Sequence, residues 1–343
     1  MKIRLQLPIL MFAHLVIDAL CVSALLKQNL DPVVISMAII LYDCLAFALQ
    51  PMLGLLTDIK NIDKQLLIVG LLIASVASLI NPGVMILAMM LGIGNAMVHI
   101  GGFAIVNKET KNKIAPLGLF VSTGTLGLGM GTIFPSISVY FAIVGIIMAF
   151  WMIFFFQSKP QKKVSSDALL SETADKIELL PLMLIASVVF LRGFGGSIIP
   201  KGYLTNDAGL IMIYVAIFLG KALGGWLADR FGILKTTLIG FLPSMIGLFF
   251  FNYLESVYWF SLLLFNLTMP LTLYLAIQSI KRFPSFAFGL TAAFLFIGMF
   301  IAYGLKELMD IPKWTIFLIV IATSVIIVSV DLMFRNKTRI FKQ

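Results

Sequence analysis

The sequence predicts an all-α polytopic membrane protein: twelve transmembrane helices in two pseudo-symmetric six-helix bundles. Three observations carry that prediction. First, the 343 residues are 60% hydrophobic and only 12% charged, with a mean hydropathy of +1.05. Soluble domains sit near 45–50% apolar with about 25% charged residues. Second, twelve apolar runs are separated by charged or Pro/Asn-containing breaks. Third, a short pattern recurs half a chain apart. This composition excludes the soluble enzyme folds, a disordered chain and a nucleic-acid-binding domain.

A bilayer core of roughly 30 Å takes about 20 helical residues to cross. The runs extend over 6–27, 33–56, 65–81, 84–106, 115–134, 137–157, 180–199, 207–228, 234–251, 256–279, 284–304 and 314–334. Backbone groups in hydrocarbon must be bonded within their own segment, so runs of this kind are helices. The first run carries His14 and Asp18 and lacks a small-residue cleavage site, so it reads as a mature helix and not a cleaved signal. Span 2 ends in Gly54-Leu-Leu-Thr-Asp58, and span 8 ends in Gly225-Trp-Leu-Ala-Asp229, 171 residues further on. Lys64 and Lys235 keep the same offset. The expected organisation is therefore a tandem duplication: an N-terminal bundle over 1–157, a cytoplasmic linker over 158–179 and a C-terminal bundle over 180–343. Within the linker, Ser165 to Leu180 is amphipathic enough for a surface helix. Cys21 and Cys44 fall in apolar runs without metal-ligand spacing and read as packing residues.

Orientation follows from the basic residues. Of the 25 Lys and Arg, nineteen lie in loops or tails on the side of the N-terminus; the opposite side holds only Lys27, Lys201, Lys306 and Lys313. The positive-inside rule then places both termini in the cytoplasm and the chain in the cytoplasmic membrane. The net charge of +9 is thus a topology signal, and no nucleic-acid partner is needed to explain it. The lipid bilayer is the expected surrounding, and the chain reads as a monomer.

Four charges lie well inside spans, away from their ends: Asp18, Asp43, Arg192 and Lys221, summing to zero. Intramembrane charges are costly and usually functional. Asp18 and Arg192 each sit about 12 residues into their helices, roughly 18 Å deep at about 1.5 Å per residue. In a duplicated bundle, spans 1 and 7 face a central cavity, so this pair is expected to meet across it. His14 and Asp18 are four apart and share a helix face. A carboxylate beside an imidazole can bind or relay a proton. The plainer alternatives are a static helix–helix ion pair for Asp18 and a carbonyl-bonded interfacial histidine for His14.

Arg192, followed by Gly193-Phe-Gly195-Gly196, contacts a substrate or counter-ion, or else forms a structural pair. Asp43 is a second proton-site candidate, or it ties span 2 to span 11. Lys221 lies nearer its helix end and can snorkel. His99 is a gating contact or a core histidine. Asn95 and Gln50 suit interhelical hydrogen bonds, and Gln50 is the better functional candidate because Pro51 beside it frees a carbonyl. Gly124, Gly127, Gly129 and Gly131 in span 5 permit close helix approach. The chain has no Gly-x-Ser-x-Gly, no His-Glu-x-x-His and no phosphate-binding loop, which argues against an enzyme, a metal or cofactor site, or an ATP-driven pump. A passive channel or lipid scramblase stays open as a different class; its flux would persist without a pH gradient.

Gly225-Trp-Leu-Ala-Asp229-Arg230-Phe-Gly232, between two helices of the second half, resembles the cytoplasmic loop signature of the major facilitator superfamily. In the first-half copy Ile59 stands where Arg230 does and Asn61 where Gly232 does, which leaves open the strength of the gating latch formed by Gly54 and Asp58. His14-Leu-Val-Ile-Asp18, Gln50-Pro51-Met-Leu-Gly54, Gly92-Ile-Gly94-Asn95-Ala-Met-Val-His99 and the span 7 arginine are similar to the fosmidomycin-resistance-type branch. Where that branch has His-Pro, this chain has His99-Ile100, so a kink is not expected there. The resemblance implies a proton-driven exporter of small organic molecules working by alternating access.

Overall fold

The structure is a computed structural model that describes residues 3–110, 113–156, 177–199, 206–250, 254–312 and 314–340. The first half contains α1 (Ile3–Leu26), α2 (Pro32–Ala48), α3 (Gln50–Lys60), α4 (Asp63–Ile80), α5 (Val84–Thr110), α6 (Ile114–Ile133) and α7 (Ser138–Phe155). The second contains α8 (Leu179–Ile198), α9 (Asp207–Phe231), α10 (Ile233–Phe250), α11 (Glu255–Asn266), α12 (Met269–Ser279), α13 (Pro284–Leu308) and α14 (Trp314–Ile340). No strand occurs among the described residues. Eleven spans are long and apolar enough to cross a bilayer, with α2 and α3 forming one of them and α11 and α12 another. The ninth run is the shorter apolar helix Ile233–Phe249. The connection expected as a surface helix from Ser165 lies outside the described residues as far as 176.

Helix ends follow local chemistry. The Asp31 carboxylate accepts from the amide of Val33 at 2.8 Å, ahead of Pro32 at the first helical position. Asn206 caps α9 by accepting from the amide of Gly209 at 2.7 Å. After α3, Asn61 adopts the left-handed region at φ 55°, and after α9 Gly232 stands at φ 86°. The asparagine that replaces glycine in the first-half loop thus still turns the chain by a positive φ. Helices α5 and α14 run past the apolar stretches read from the sequence, because a basic residue ends a hydrophobic run without ending a helix.

Two spans break at proline. Pro51 cannot donate to the helix, and α2 gives way to α3 at Leu49. Pro270 has the same effect on span 10, which opens at Leu267 and Thr268 between α11 and α12. The equivalent position in span 4, 171 residues earlier, is His99, and α5 runs through it without a break.

The chain divides into two compact units. One comprises Met1–Asn112, Phe120–Asp175 and Arg282–Ala293; the other comprises Lys113–Leu119, Lys176–Lys281 and Phe294–Gln343. The first is centred on fully buried Leu67, Leu71, Leu91, Ile100, Phe103 and Phe120, and Phe103 stacks on Phe288 with ring centroids 4.3 Å apart. The core of the second runs through Ile213, Leu248, Tyr258, Leu262, Phe265 and Ile319. Large apolar side chains such as Met52, Phe154 and Leu180 point outward, as expected of helices whose surroundings are lipid.

Candidate functional site

In the first unit, spans 1, 4 and 5 assemble a polar cluster. His14 and Asp18, one turn apart on α1, meet Asn95 and His99, one turn apart on α5. The Asn95 amide donates to Asp18 Oδ1 at 2.8 Å. His14 Nε2 lies 3.4 Å from Asp18 Oδ2, and His99 Nε2 lies 3.7 Å from Oδ1. Beside them Gly124 of α6 leaves the room the cluster needs, since a Cβ there would collide with Asp18 Oδ2 and His14 Nε2.

The hydrogen positions follow from the partners. His14 Nδ1 stands 2.7 Å from the carbonyl of Phe120, and His99 Nδ1 stands 3.0 Å from that of Asn95. A carbonyl only accepts, so both Nδ1 atoms carry hydrogen. Neutral rings would then present two bare Nε2 lone pairs to each other. Those two atoms are 2.8 Å apart, a hydrogen-bond distance that requires a proton between them. The imidazole pair thus carries one proton more than two neutral rings, and the Asp18 carboxylate balances it. His14, Asp18 and His99 also place one ligand atom each within 4.8 Å of one another. Two nitrogens on a tetrahedral zinc ion at about 2.05 Å would stand about 3.3 Å apart, so the observed spacing suits a proton better than a metal.

The other nominated residues lie elsewhere. Gln50 sits buried in the span 2 break, its amide donating to the carbonyl of Ala46 at 2.8 Å. Its Oε1 has no partner among the described residues. Asp43, partly exposed on α2, has no hydrogen bond or ion pair among the described residues. Lys221 is half-buried on α9, two turns before Asp229. In the second unit Arg192 is buried, with 6% of its surface exposed. Its guanidinium donates to the carbonyl of Phe265 at 3.2 Å and to Thr268 Oγ1, and lies over the Phe265 ring at 4.8 Å. The span 10 break at Pro270 supplies these acceptors. Within the first unit, Asp18 takes its charge complement from the two histidines.

The duplicated loop motif builds the same contact twice. Asp58 accepts from the amides of Ser285, at 2.9 Å, and Phe286, at 3.0 Å, at the start of α13. Asp229 accepts from the amides of Ile114 and Ala115, each at 2.9 Å, at the start of α6. The acceptor pair and both donor pairs are each related by 171 residues. Gly54 and Gly225 lie beneath these contacts, where a Cβ would collide with the backbone of Ser285 or of Ile114. A carboxylate on the free amides of a helix N-terminus also gains from the helix dipole. Arg230 lies over the rings of Trp226 and Phe231. The amide partners and the Phe120 carbonyl were not legible beforehand, because backbone groups carry no sequence signal; the repeat offset could have pointed to the amides.

A duplicated all-helical bundle with polar groups buried at mid-span defines a polytopic membrane protein of the carrier type. The chain belongs to the Major Facilitator Superfamily, whose profile matches residues 8–303. Its fold is similar to that of a variant of the Escherichia coli fucose:proton symporter FucP, with TM-score 0.66 at 13% identity over 95% of this chain and 97% of that one. A structure of FucP in the outward conformation gives TM-score 0.65 at 12% identity, over 95% and 98%. A probable nitrate transporter, NarT of Staphylococcus haemolyticus, is 23% identical over 188 residues, 48% of this chain and 49% of that protein. The match thus spans about half the length of that relative.

Proposed function

We propose that this chain is a secondary active transporter that moves a small organic solute by alternating access, coupled to protons at the His14–Asp18–Asn95–His99 cluster. The observation that carries the reading is the pair of Nε2 atoms at 2.8 Å. With its proton, the cluster is neutral overall. Without it, two lone pairs and the Asp18 carboxylate repel one another, so the rings must separate and α1 must shift against α5. A proton bound more tightly in one arrangement than in the other shifts the balance between them, as coupling requires. We further propose bundles over 1–157 and 180–343 with a linker over 158–179, both termini in the cytoplasm, a monomer in the cytoplasmic membrane, and Gly54, Asp58, Gly225, Asp229, Arg230 and Gly232 as gating elements.

The direction we favour is export with a proton entering in exchange. A second reading, uptake together with a proton, is favoured by similarity to a fucose:proton symporter and to a probable nitrate transporter. The test is flux in proteoliposomes under imposed pH gradients of either sign, wild type against Asp18→Asn and His99→Gln. Coupled flux is expected to disappear in both variants, and the productive sign of the gradient separates exchange from co-transport. Gradient-dependent flux surviving in both variants would overturn the coupling site.

A further inference from the structure

The chain has two histidines in all, and the first unit brings both to one point beside a carboxylate. They stand 85 residues apart in sequence, so no ligand spacing announced them. His14, Asp18 and His99 offer two imidazole nitrogens and a carboxylate oxygen, all within 4.8 Å of one another. That is the donor set of a three-ligand metal site with a fourth position free. Each donor is also held from behind. Nδ1 of His14 donates to the Phe120 carbonyl and Nδ1 of His99 to the Asn95 carbonyl, which leaves Nε2 of each ring as the donor atom beside Asp18. The Asn95 amide donates to Asp18 Oδ1 at 2.8 Å. Carbonyls behind imidazoles and an amide behind a carboxylate are the outer contacts that orient ligands around a bound ion.

The distances show what a metal would change. The Nε2–Oδ separations are 3.4 and 3.7 Å, close to the about 3.3 Å between neighbouring ligands of tetrahedral zinc. Only the Nε2–Nε2 separation of 2.8 Å is short for a metal, and a shared proton is what holds it there. Parting the rings by about half an ångström gives the zinc spacing. Metal and proton are therefore alternative occupants of one place. As zinc enters, the N–H···N bond breaks and its proton passes to water; the two nitrogens and the carboxylate each give a lone pair to the ion. A hydroxide or chloride in the fourth position returns the total charge to zero. Gly124 keeps this side of the cluster clear, since a Cβ there would meet both Asp18 Oδ2 and His14 Nε2. Nitrogen donors also choose the ion: imidazole suits zinc, whereas magnesium and calcium take oxygen ligands.

We infer that His14, Asp18 and His99 form a site for a zinc ion bridging α1 and α5, and that zinc held there arrests transport. The arrest rests on the transport reading, in which α1 shifts against α5; the binding stands independently of it.

Full-length protein purified without a polyhistidine tag is titrated with zinc chloride in competition with a chromogenic chelator. The expected result is one zinc per chain, not displaced by a large excess of magnesium. His99→Gln and Asp18→Asn, which each remove a ligand, and Asn95→Ala, which removes an outer contact, are each expected to weaken binding by about tenfold or more. Cys44→Ser, which removes the exposed thiol, is expected to leave it unchanged. X-ray absorption at the zinc edge of wild type reads the donors without any substitution, and so keeps the test decisive should the variants fail to fold. Two imidazoles with oxygen and no sulfur are expected. Less than one zinc per chain in wild type, zinc held as tightly by His99→Gln and Asp18→Asn, or sulfur among the donors would each overturn the site. In proteoliposomes, zinc on both sides of the membrane is expected to stop gradient-driven flux, and undiminished flux in zinc-loaded protein would overturn the arrest. Zinc bound through both imidazoles in a protein without proton-coupled flux would leave the metal site standing and remove the coupling; coupled flux that His99→Gln abolishes, in a protein that binds no zinc, would do the reverse.

Discussion

His14 and His99 face each other through their Nε2 atoms at 2.8 Å, each with its Nδ1 hydrogen already given to a backbone carbonyl. The shared proton this demands belongs to the pair and not to either ring. Removing one ring should therefore remove the proton itself. His99→Ala is expected to bind one proton fewer per molecule than wild type at neutral pH, measured by proton counting with an indicator dye on unfolding at fixed pH. Equal counts in the two proteins would show that no proton is shared.

Gly124 is the wall of that cluster. Gly124→Ala is expected to open the contact between His14 and Asp18 and to abolish coupled flux, because the added methyl meets both side chains in a packed interior with little freedom to move. Gly196→Ala, where an added Cβ meets nothing, is the control and should transport normally. Comparable flux in the two alanine variants would contradict the packing described.

The two motif aspartates make equivalent bonds in unequal surroundings. Asp58 is 2% exposed, whereas Asp229 is exposed. Replacement of Asp58 by alanine should cost about 1–2 kcal/mol, the upper part of the range for helix N-terminal caps, because it leaves the amides of Ser285 and Phe286 buried without a partner. Asp229→Ala should cost less, since water can replace the lost acceptor. The two sites share no partner, so the double variant is expected to show the sum. Chemical unfolding of the four proteins measures all three quantities.

Asp43 lies in a span with no partner among the described residues. An uncompensated intramembrane carboxylate destabilises the fold it sits in. Asp43→Asn is therefore expected to leave the melting temperature equal or higher, and a clear drop would mean that Asp43 holds span 2 to a neighbour after all.

Most of the architecture was legible in the residues because a bilayer allows so few solutions. Every expected run begins within three residues of the start of an observed helix, and the Asn61 turn and the unbroken span 4 at His99 follow the chain's own chemistry. The site was legible in part. The four-residue spacing of His14 and Asp18, and of Asn95 and His99, put the right groups on single faces. Which faces meet was not, because span-to-span register is set by glycine positions such as Gly124 that carry no charge signal. The charge pattern therefore gave no sign that packing brings His99 to Asp18. The Phe265 carbonyl that Arg192 uses could have been suspected from Pro270, since a break inside a span releases carbonyls that a buried cation can use.

The first half gives a carboxylate to α13 of the second, and the second gives one to α6 of the first, through residues at a constant offset. Each contact lies within one compact unit that borrows a segment from the opposite half of the sequence, so the duplicated halves are tied together by swapped helix starts as well as by the chain that links them. The repeats differ elsewhere, with His99 in one where Pro270 stands in the other.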